Sequence, residues 1–319
     1  MQGSDDSTAR SVVLMAFGRG DDVFKELRFH LLRFLATHPD RSGIRYVLYT
    51  DRPNAVDDFG ELMEIETVPV TDALLREWRG RADFFWRIKI QMLRDAKERF
   101  GGAQLYCDSD TYPRRDLGNL FGRLEAGDLA MYEDEGPLSN PEFVHFRRQF
   151  AKHPELRSAG QVWKFPPTTR MWNAGVIGYG FDQRHFLDEA LTLCDALYDT
   201  WPYVHVEQFS FGHTWQNSPQ GCTAATDDVF HYWRVRDFAK LIDHFFEFHR
   251  GKGLDELAGL TEPMLAEHLL APCIEYEEGR RFQALWTRFP YTMKRIFPGG
   301  WDIGAFSDLA ESQGRSRPA

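Results

Sequence analysis

Between residues 11 and 107 the chain alternates short apolar runs with segments of helical period, and this alternation limits its fold more than any other feature. Ser11–Phe17 (SVVLMAF) reads as a buried strand ending at Gly18. Val23, Phe24, Leu27, Leu31, Phe34 and Leu35 then recur at helical spacing. Arg45–Thr50 (RYVLYT) reads as a second strand, closed by Asp51-Arg52-Pro53, and Leu62–Val70 as a third. Phe84–Phe100 reads as an amphipathic helix stopped by Gly101-Gly102, and the strand AQLYC (Ala103–Cys107) follows it. Strand, helix and strand in this order predict an α/β domain with a mainly parallel sheet carrying helices on its faces. Ligands of such sheets bind outside the carboxyl ends of the strands. Asp51 and the pair Asp108/Asp110 stand at two of those ends.

Further along, Asp128–Tyr132, Trp172–Tyr179 and Val229–Trp233 read as additional strands, and Asp182–Asp199 as a helix with Asp182 as its N-cap. The expected organisation is a polar tail (1–10), one catalytic domain (11–235) and a helical extension (236–319) packed on it. A net charge of −10 argues against nucleic-acid binding, which needs a basic footprint. The four cysteines form no CxxC and no His/Cys cluster, so they predict neither a zinc site nor a disulfide framework, and a reducing cytoplasm fits them. The start MQGSDDSTAR lacks the apolar core of a signal peptide, and no apolar run approaches the about 18 residues a membrane span needs. Within this acidic chain, Arg280–Trp301 is basic and aromatic; it fits either packing on the domain or contact with an anionic membrane surface.

The stretch YCDSDTYP (Tyr106–Pro113) admits three readings. Aspartate at a strand end is a common turn former. Two carboxylates one residue apart at a strand mouth also supply hard oxygen ligands for a divalent cation, leaving positions open for diphosphate oxygens. In the third reading Asp108 attacks a phosphate and Asp110 serves as general acid/base. DSDT resembles the opening motif of haloacid-dehalogenase-like phosphatases, and ATDDVF offers Asp227 and Asp228 as that family's acidic motif. That motif normally follows the first core strand, whereas here about a hundred residues of strand and helix precede it.

The motif's surroundings favour the metal. The stretch from FFWRIKIQMLRDA to AQLYCDSDTYPRRDLGNLF resembles the corresponding part of GT-A-fold glycosyltransferases, most similarly the family-8 group that includes glycogenin and lipooligosaccharide galactosyltransferases. MYEDEG, WNAGVIGY, VEQFSF and VFHYW follow in the order that family uses. The resemblance implies transfer of a sugar from a nucleotide diphosphate sugar, a UDP-hexose first, with Mn2+ or Mg2+ and with retention of configuration. The acceptor would be a glycan, lipid-linked or protein hydroxyl. It assigns Asp108, Asp110 and His231 to the metal, and Phe17, Gly18, Asp51, Arg87, Lys89, Ser109, Asn173 and Gly175, together with Asp108, to the donor. Glu207 and Gln208 would lie beneath the reacting sugar, and Asp134, or its neighbour Glu133, would bind sugar hydroxyls. The lysine expected after the histidine is missing from HYWRVRDF, and Lys240 is the nearest substitute. A phosphatase, or a protein that binds a nucleotide sugar or glycan without turnover, is the alternative.

Overall fold

The structure, a computed structural model, describes residues 9–265 apart from 42 and 236. β1 (Arg10–Ala16) leads through α1 (Asp22–Thr37) to β2 (Arg45–Thr50) and β3 (Ile65–Pro69), then through α2 (Asp72–Arg79) and α3 (Arg87–Phe100) to β4 (Ala103–Cys107). The next elements are shorter: β5 (Thr111–Pro113), α4 (Gly118–Glu125), β6 (Ala130–Met131), β7 (Asp134–Pro137), α5 (Val144–Lys152), β8 (Glu155–Ser158) and β9 (Gln161–Lys164). They are followed by β10 (Arg170–Trp172), β11 (Val176–Tyr179), α6 (Arg184–Thr200), α7 (Val206–Gln216), β12 (Thr223–Ala224) and β13 (Val229–His231). The helices α8 (Asp237–Phe248) and α9 (Leu254–Leu260) close the described chain apart from a final short turn.

The main sheet has the order β12–β6–β11–β4–β1–β2–β3. Its strands run parallel except β11, which is antiparallel to both neighbours. The sheet is therefore mixed and mainly parallel: the alternation accounts for its parallel part, and the reversed β11 fits the mixed sheet that the GT-A resemblance implies. Both of its faces are covered, so the central strands read as unbroken apolar runs. Val12, Leu14, Leu48 and Leu105 pack with α1, α4 and α8 on one side. Val13, Val47, Tyr49 and Tyr106 pack with α2, α3, α6 and α7 on the other.

Several expected boundaries move. The helix expected from Phe84 starts at Arg87. The strand expected over Trp172–Tyr179 breaks at Asn173, whose Oδ1 accepts the Gly175 N–H at 2.9 Å and closes a tight turn. Its two halves pair differently, β10 with β7 and β11 with β4. Asp182 is not an N-cap: a 3-10 turn over Phe181–Gln183 feeds α6, and no side chain caps it. Of Leu62–Val70, Asp128–Tyr132 and Val229–Trp233, only Ile65–Pro69, Ala130–Met131 and Val229–His231 are strand.

After β13 the chain folds back onto α1. Phe29 meets the rings of Phe238 and Phe245 edge-on at 5.7 and 5.9 Å. Buried Arg33 donates through Nη1 to Thr261 Oγ1 (3.1 Å) and Glu262 Oε2 (2.6 Å). Arg280–Trp301 lies outside the described residues. Among the described residues no helix is long and apolar enough to cross a membrane.

A buried polar knot fixes β4 to its neighbours. Gln104 Nε2 donates to Ala96 O (3.0 Å) and Gly101 O (3.1 Å) at the end of α3, and its Oε1 accepts from Tyr179 on β11 at 2.7 Å. Tyr179→Phe leaves that oxygen buried without its donor. It is expected to lower stability by about 1–3 kcal/mol in urea unfolding.

Candidate active site

β4 delivers Asp108, Ser109 and Asp110 into a turn that Thr111 closes, its Oγ1 donating to Asp108 O at 2.7 Å. β5 then pairs antiparallel with β13, setting His231 opposite Thr111. One carboxylate oxygen each from Asp108 and Asp110 and one ring nitrogen of His231 all lie within 4.8 Å of one another. His231 Nε2 is 3.1 Å from Asp110 Oδ1.

The orientation of the imidazole is set from behind. Asn173 Oδ1 accepts the Gly175 N–H, so the contact of 2.9 Å between this oxygen and His231 Nδ1 must use a hydrogen from the ring. Nε2 is thereby the ring nitrogen left to face the aspartates, the atom that would serve as ligand to a cation bound there. Gly175 makes room for the ring: a Cβ there would stand 2.1 Å from His231 Nδ1.

Lys89, in the first turn of α3, is buried behind Asp108. Its Nζ is 3.2 Å from Asp108 Oδ1 and 3.5 Å from Glu207 Oε1, and donates to Ala174 O at 3.1 Å. Burial opposes its charge, but Asp108 and Glu207 outweigh burial and leave its pKa raised. Tyr106, two residues before Asp108 on the same strand face, donates its hydroxyl to Asp108 Oδ1. Burial pushes Glu207, in the first turn of α7, up to about 7, with Lys89 pulling it down and Asp108 pushing it further up. Its neighbour Gln208 donates through Nε2 to Glu135 Oε2 at 3.0 Å, and Asn173 Nδ2 donates to Glu135 Oε1 at 3.2 Å.

These groups face a cavity of about 430 Å³ lined by Lys89, Asp108, Asp110, Asn173, Gly175, Glu207, Gln208 and His231. Glu135, Glu142 and Arg234 also line it, so five carboxylates face one lysine and one arginine. Arg234 is itself engaged, its Nη2 lying 3.2 Å from Glu133 Oε2 and 3.8 Å from Glu135 Oε1. Two hard carboxylates, a preset imidazole nitrogen and this surplus of negative charge suit a divalent cation.

Other residues singled out in the sequence lie outside this lining. Asp134 turns away, its carboxylate taking Arg170 Nε and the Gly136 N–H. Alternation along β7 sends Glu135 inward instead. Arg87 is held at the α3–α6 junction by Asp195 Oδ1 (2.7 Å) and Trp78 O (2.8 Å). Gly18 N donates to Asp51 Oδ2 at 3.0 Å, joining the ends of β1 and β2. Phe17 approaches the cavity through Phe85, ring to ring at 6.1 Å, next to the lining residue Trp86. Ser109 Oγ lies 3.4 Å from Glu26 Oε2 on α1. Lys240 sits on the surface of α8. Asp228 is buried between Arg115 Nε (2.9 Å) and Arg123 Nη2 (2.8 Å), and Asp227 is exposed, so neither reaches the cavity.

Glu135, Arg234 and Tyr106 are among the polar residues around the triad that reading the sequence missed. Strand alternation could have found Tyr106 from Asp108, and Glu135 from the choice within EDE. Arg234 follows a three-residue strand and carries no such periodic signal.

No family model and no curated protein matches this chain in sequence. Among solved structures, it is similar to the apo form of mouse xyloside xylosyltransferase 1, with a TM-score of 0.45 and 13% identity over 68% of this chain and 84% of that one. It is also similar to the apo bifunctional glycosyltransferase WbbM, with a TM-score of 0.41 and 16% identity over 67% of this chain and 38% of the other. The chain thus spans well under half of WbbM. Likeness at this level concerns the path of the backbone, and the chemistry rests on the residues described above.

Two outcomes follow from this geometry. Asn173→Ala frees the imidazole to turn and is expected to weaken Mn2+ binding about 10- to 100-fold in calorimetric titration. The raised pKa of Glu207 means that its proton contributes stability below its unfolded value of 4.5, lost as pH rises through about 7. Glu207→Gln is therefore expected to gain stability relative to wild type across that window, by up to about 3 kcal/mol, in melting curves taken against pH.

Proposed function

We propose that the chain is a GT-A-type glycosyltransferase that moves a hexose from a nucleoside diphosphate sugar, UDP first by the family-8 resemblance, to a hydroxyl acceptor. The observation that carries this reading is the Asp108–Asp110–His231 triad at the carboxyl end of β4, with Glu207 and Gln208 across the same cavity. Mn2+ or Mg2+ held by the triad would offset the negative charge that builds on the departing diphosphate.

The chain's own residues supply the rest. Lys89 neutralises part of the charge on Asp108 and Glu207 and keeps Asp108 oriented. Glu135, tied to Asn173 and Gln208, takes the part that MYEDEG suggested for Asp134, that of accepting hydrogen bonds from sugar hydroxyls. The anomeric C–O bond to the diphosphate breaks, with its electron pair leaving on the diphosphate oxygen. The acceptor hydroxyl oxygen bonds to the anomeric carbon, and its proton passes to a diphosphate oxygen. Attack from the face the diphosphate leaves gives retention. Glu207 is engaged by Lys89 and burial raises its pKa, which weakens it as a covalent nucleophile; its place suits it to orienting the sugar at the anomeric centre. The phosphatase reading loses its second acidic motif, because Asp228 is consumed by Arg115 and Arg123.

The test is nucleoside diphosphate release from UDP-, GDP- and dTDP-sugars with Mn2+, with Mg2+ and with chelator. One donor is expected to react, only with metal, and Asp110→Asn is expected to lower the rate at least about 100-fold. Cleavage of a phosphomonoester, lost in Asp108→Asn, would instead make the protein a phosphatase. Tight donor binding without release, with or without a hydroxyl acceptor, would make it a binding protein.

A further inference from the structure

The cavity has two unlike ends. The inner end holds the triad, Lys89 and Glu207. The outer end is built from the start of α5 and the segment before α7, where Phe143, His145, Tyr203, Val204 and His205 line it. The chemistry above uses none of them.

Tyr203 is the centre of this wall. It stacks on Trp201 with ring centroids 4.5 Å apart and planes within 7°. Phe146 meets it edge-on at 5.4 Å, and His145 and His205 flank it at 5.7 and 5.2 Å. Packing on several sides fixes the ring, yet the cluster is not closed core. Tyr203 is half-buried, His145 and His205 are exposed, and Val204 keeps 42% of its surface open. Fixed rings at a cavity mouth are a preorganised surface for a ligand, because binding there orders little that was mobile.

The chemistry of the wall narrows the ligand. The lysine and arginine that line the cavity are Lys89 and Arg234, neither of them in this wall, so nothing here favours a phosphate. What the wall offers is aromatic faces with imidazoles and Glu142 beside them. A pyranose ring matches this mixture, with its apolar C–H face against a ring and its hydroxyls toward polar rim groups. A simple alcohol would leave the rings bare, and an anionic head group would meet Glu142 with no lysine or arginine of the wall to balance it.

We infer that this outer wall is a subsite for a carbohydrate ring, so that the acceptor is a glycoside whose terminal pyranose rests against Tyr203. The inference rests on the transferase reading for the ring's role as acceptor, although the subsite itself does not need turnover. Tyr203 precedes α7, four residues before Glu207, and both line the same cavity, so a ring held on the wall shares its space with the carboxyl expected beneath the donor sugar.

The test uses the full chain and a panel of methyl glucosides, galactosides, mannosides and N-acetylhexosaminides, with binding read by saturation-transfer NMR in the presence of UDP and Mn2+. At least one pyranoside is expected to bind. Its affinity is expected to fall about tenfold or more in Tyr203→Ala and to be kept in Tyr203→Phe, while the Kd for UDP with Mn2+ stays within about twofold in both. The Phe variant guards against a folding artefact. Pyranoside binding unchanged in Tyr203→Ala, or none bound to the wild type, overturns the inference. A loss of UDP affinity in Tyr203→Ala also overturns it, by giving the ring to the nucleobase. If pyranosides bind through Tyr203 but no nucleotide sugar is bound or cleaved, the transferase reading fails and the carbohydrate subsite stands.

Discussion

Lys89 is a charge taken out of water, and the arrangement of the site follows from how that charge is satisfied. An ammonium in the interior is tolerated only where opposite charge and acceptors meet it. Here Asp108, Glu207 and the carbonyl of Ala174 converge on its three protons. Those partners come from the end of β4, the first turn of α7 and the turn before β11. One buried cation therefore pins α3 to three separated parts of the chain at the point where chemistry is expected. Its removal would leave two carboxylates without the cation between them, a larger penalty than the loss of one contact.

The reversed strand does the complementary work. β11 runs antiparallel to β4, so its first residue, Val176, pairs with the last of β4, Cys107. Residues 173–175 thereby adjoin residues 108–110, and Asp108 N donates to Gly175 O at 2.8 Å. Were β11 parallel like the rest of the sheet, the Asn173 turn would emerge at the opposite edge. The antiparallel course lets Asn173 serve as a hub, linking the imidazole of His231 to Glu135 and, through it, to Gln208. The candidate metal ligands and the groups expected around the sugar thus share one hydrogen-bonded frame.

This division also explains what could be read in the sequence. β1, β2 and β4 are buried on both faces, so their apolar runs are long and bounded by clear breakers, and Asp108 and Asp110 stood out at the end of one of them. The ribbon of β5 and β13 and the short β6, β7 and β10 are two to four residues long. No periodic pattern fits in such a length, and these elements exist because the sheet and its helices hold them. Within EDE, for example, the sequence carries no pattern to show that Asp134 meets Arg170 while Glu135 lines the cavity. Arg87 and Lys89 were a fairer problem, since two residues on a helix differ in direction by more than half a turn and only one could face inward. The flanking Ile88 and Ile90 mark Lys89 as the more interior of the two, and it is the buried one. Arg234 could be found only once β13 had been placed beside β5.

The electrostatics of the cavity carry one further consequence for how a donor could enter. Five carboxylates line the space, and both cations there are already engaged with carboxylates, Lys89 with Asp108 and Glu207, Arg234 with Glu133. A diphosphate approaching this surface meets charge of its own sign in a place poorly screened by solvent. Burial already raises the pKa of Glu207 and of Glu135, a sign of how unfavourable further negative charge is in this space. Under the transferase reading the requirement for a divalent cation is therefore first a requirement for entry, prior to any help with the leaving group. The aromatic wall at the other end places no such demand on its ligand. A neutral ring can reach Tyr203 whether or not the inner end is charged, so the two ends can fill by different physical forces, one electrostatic and one apolar.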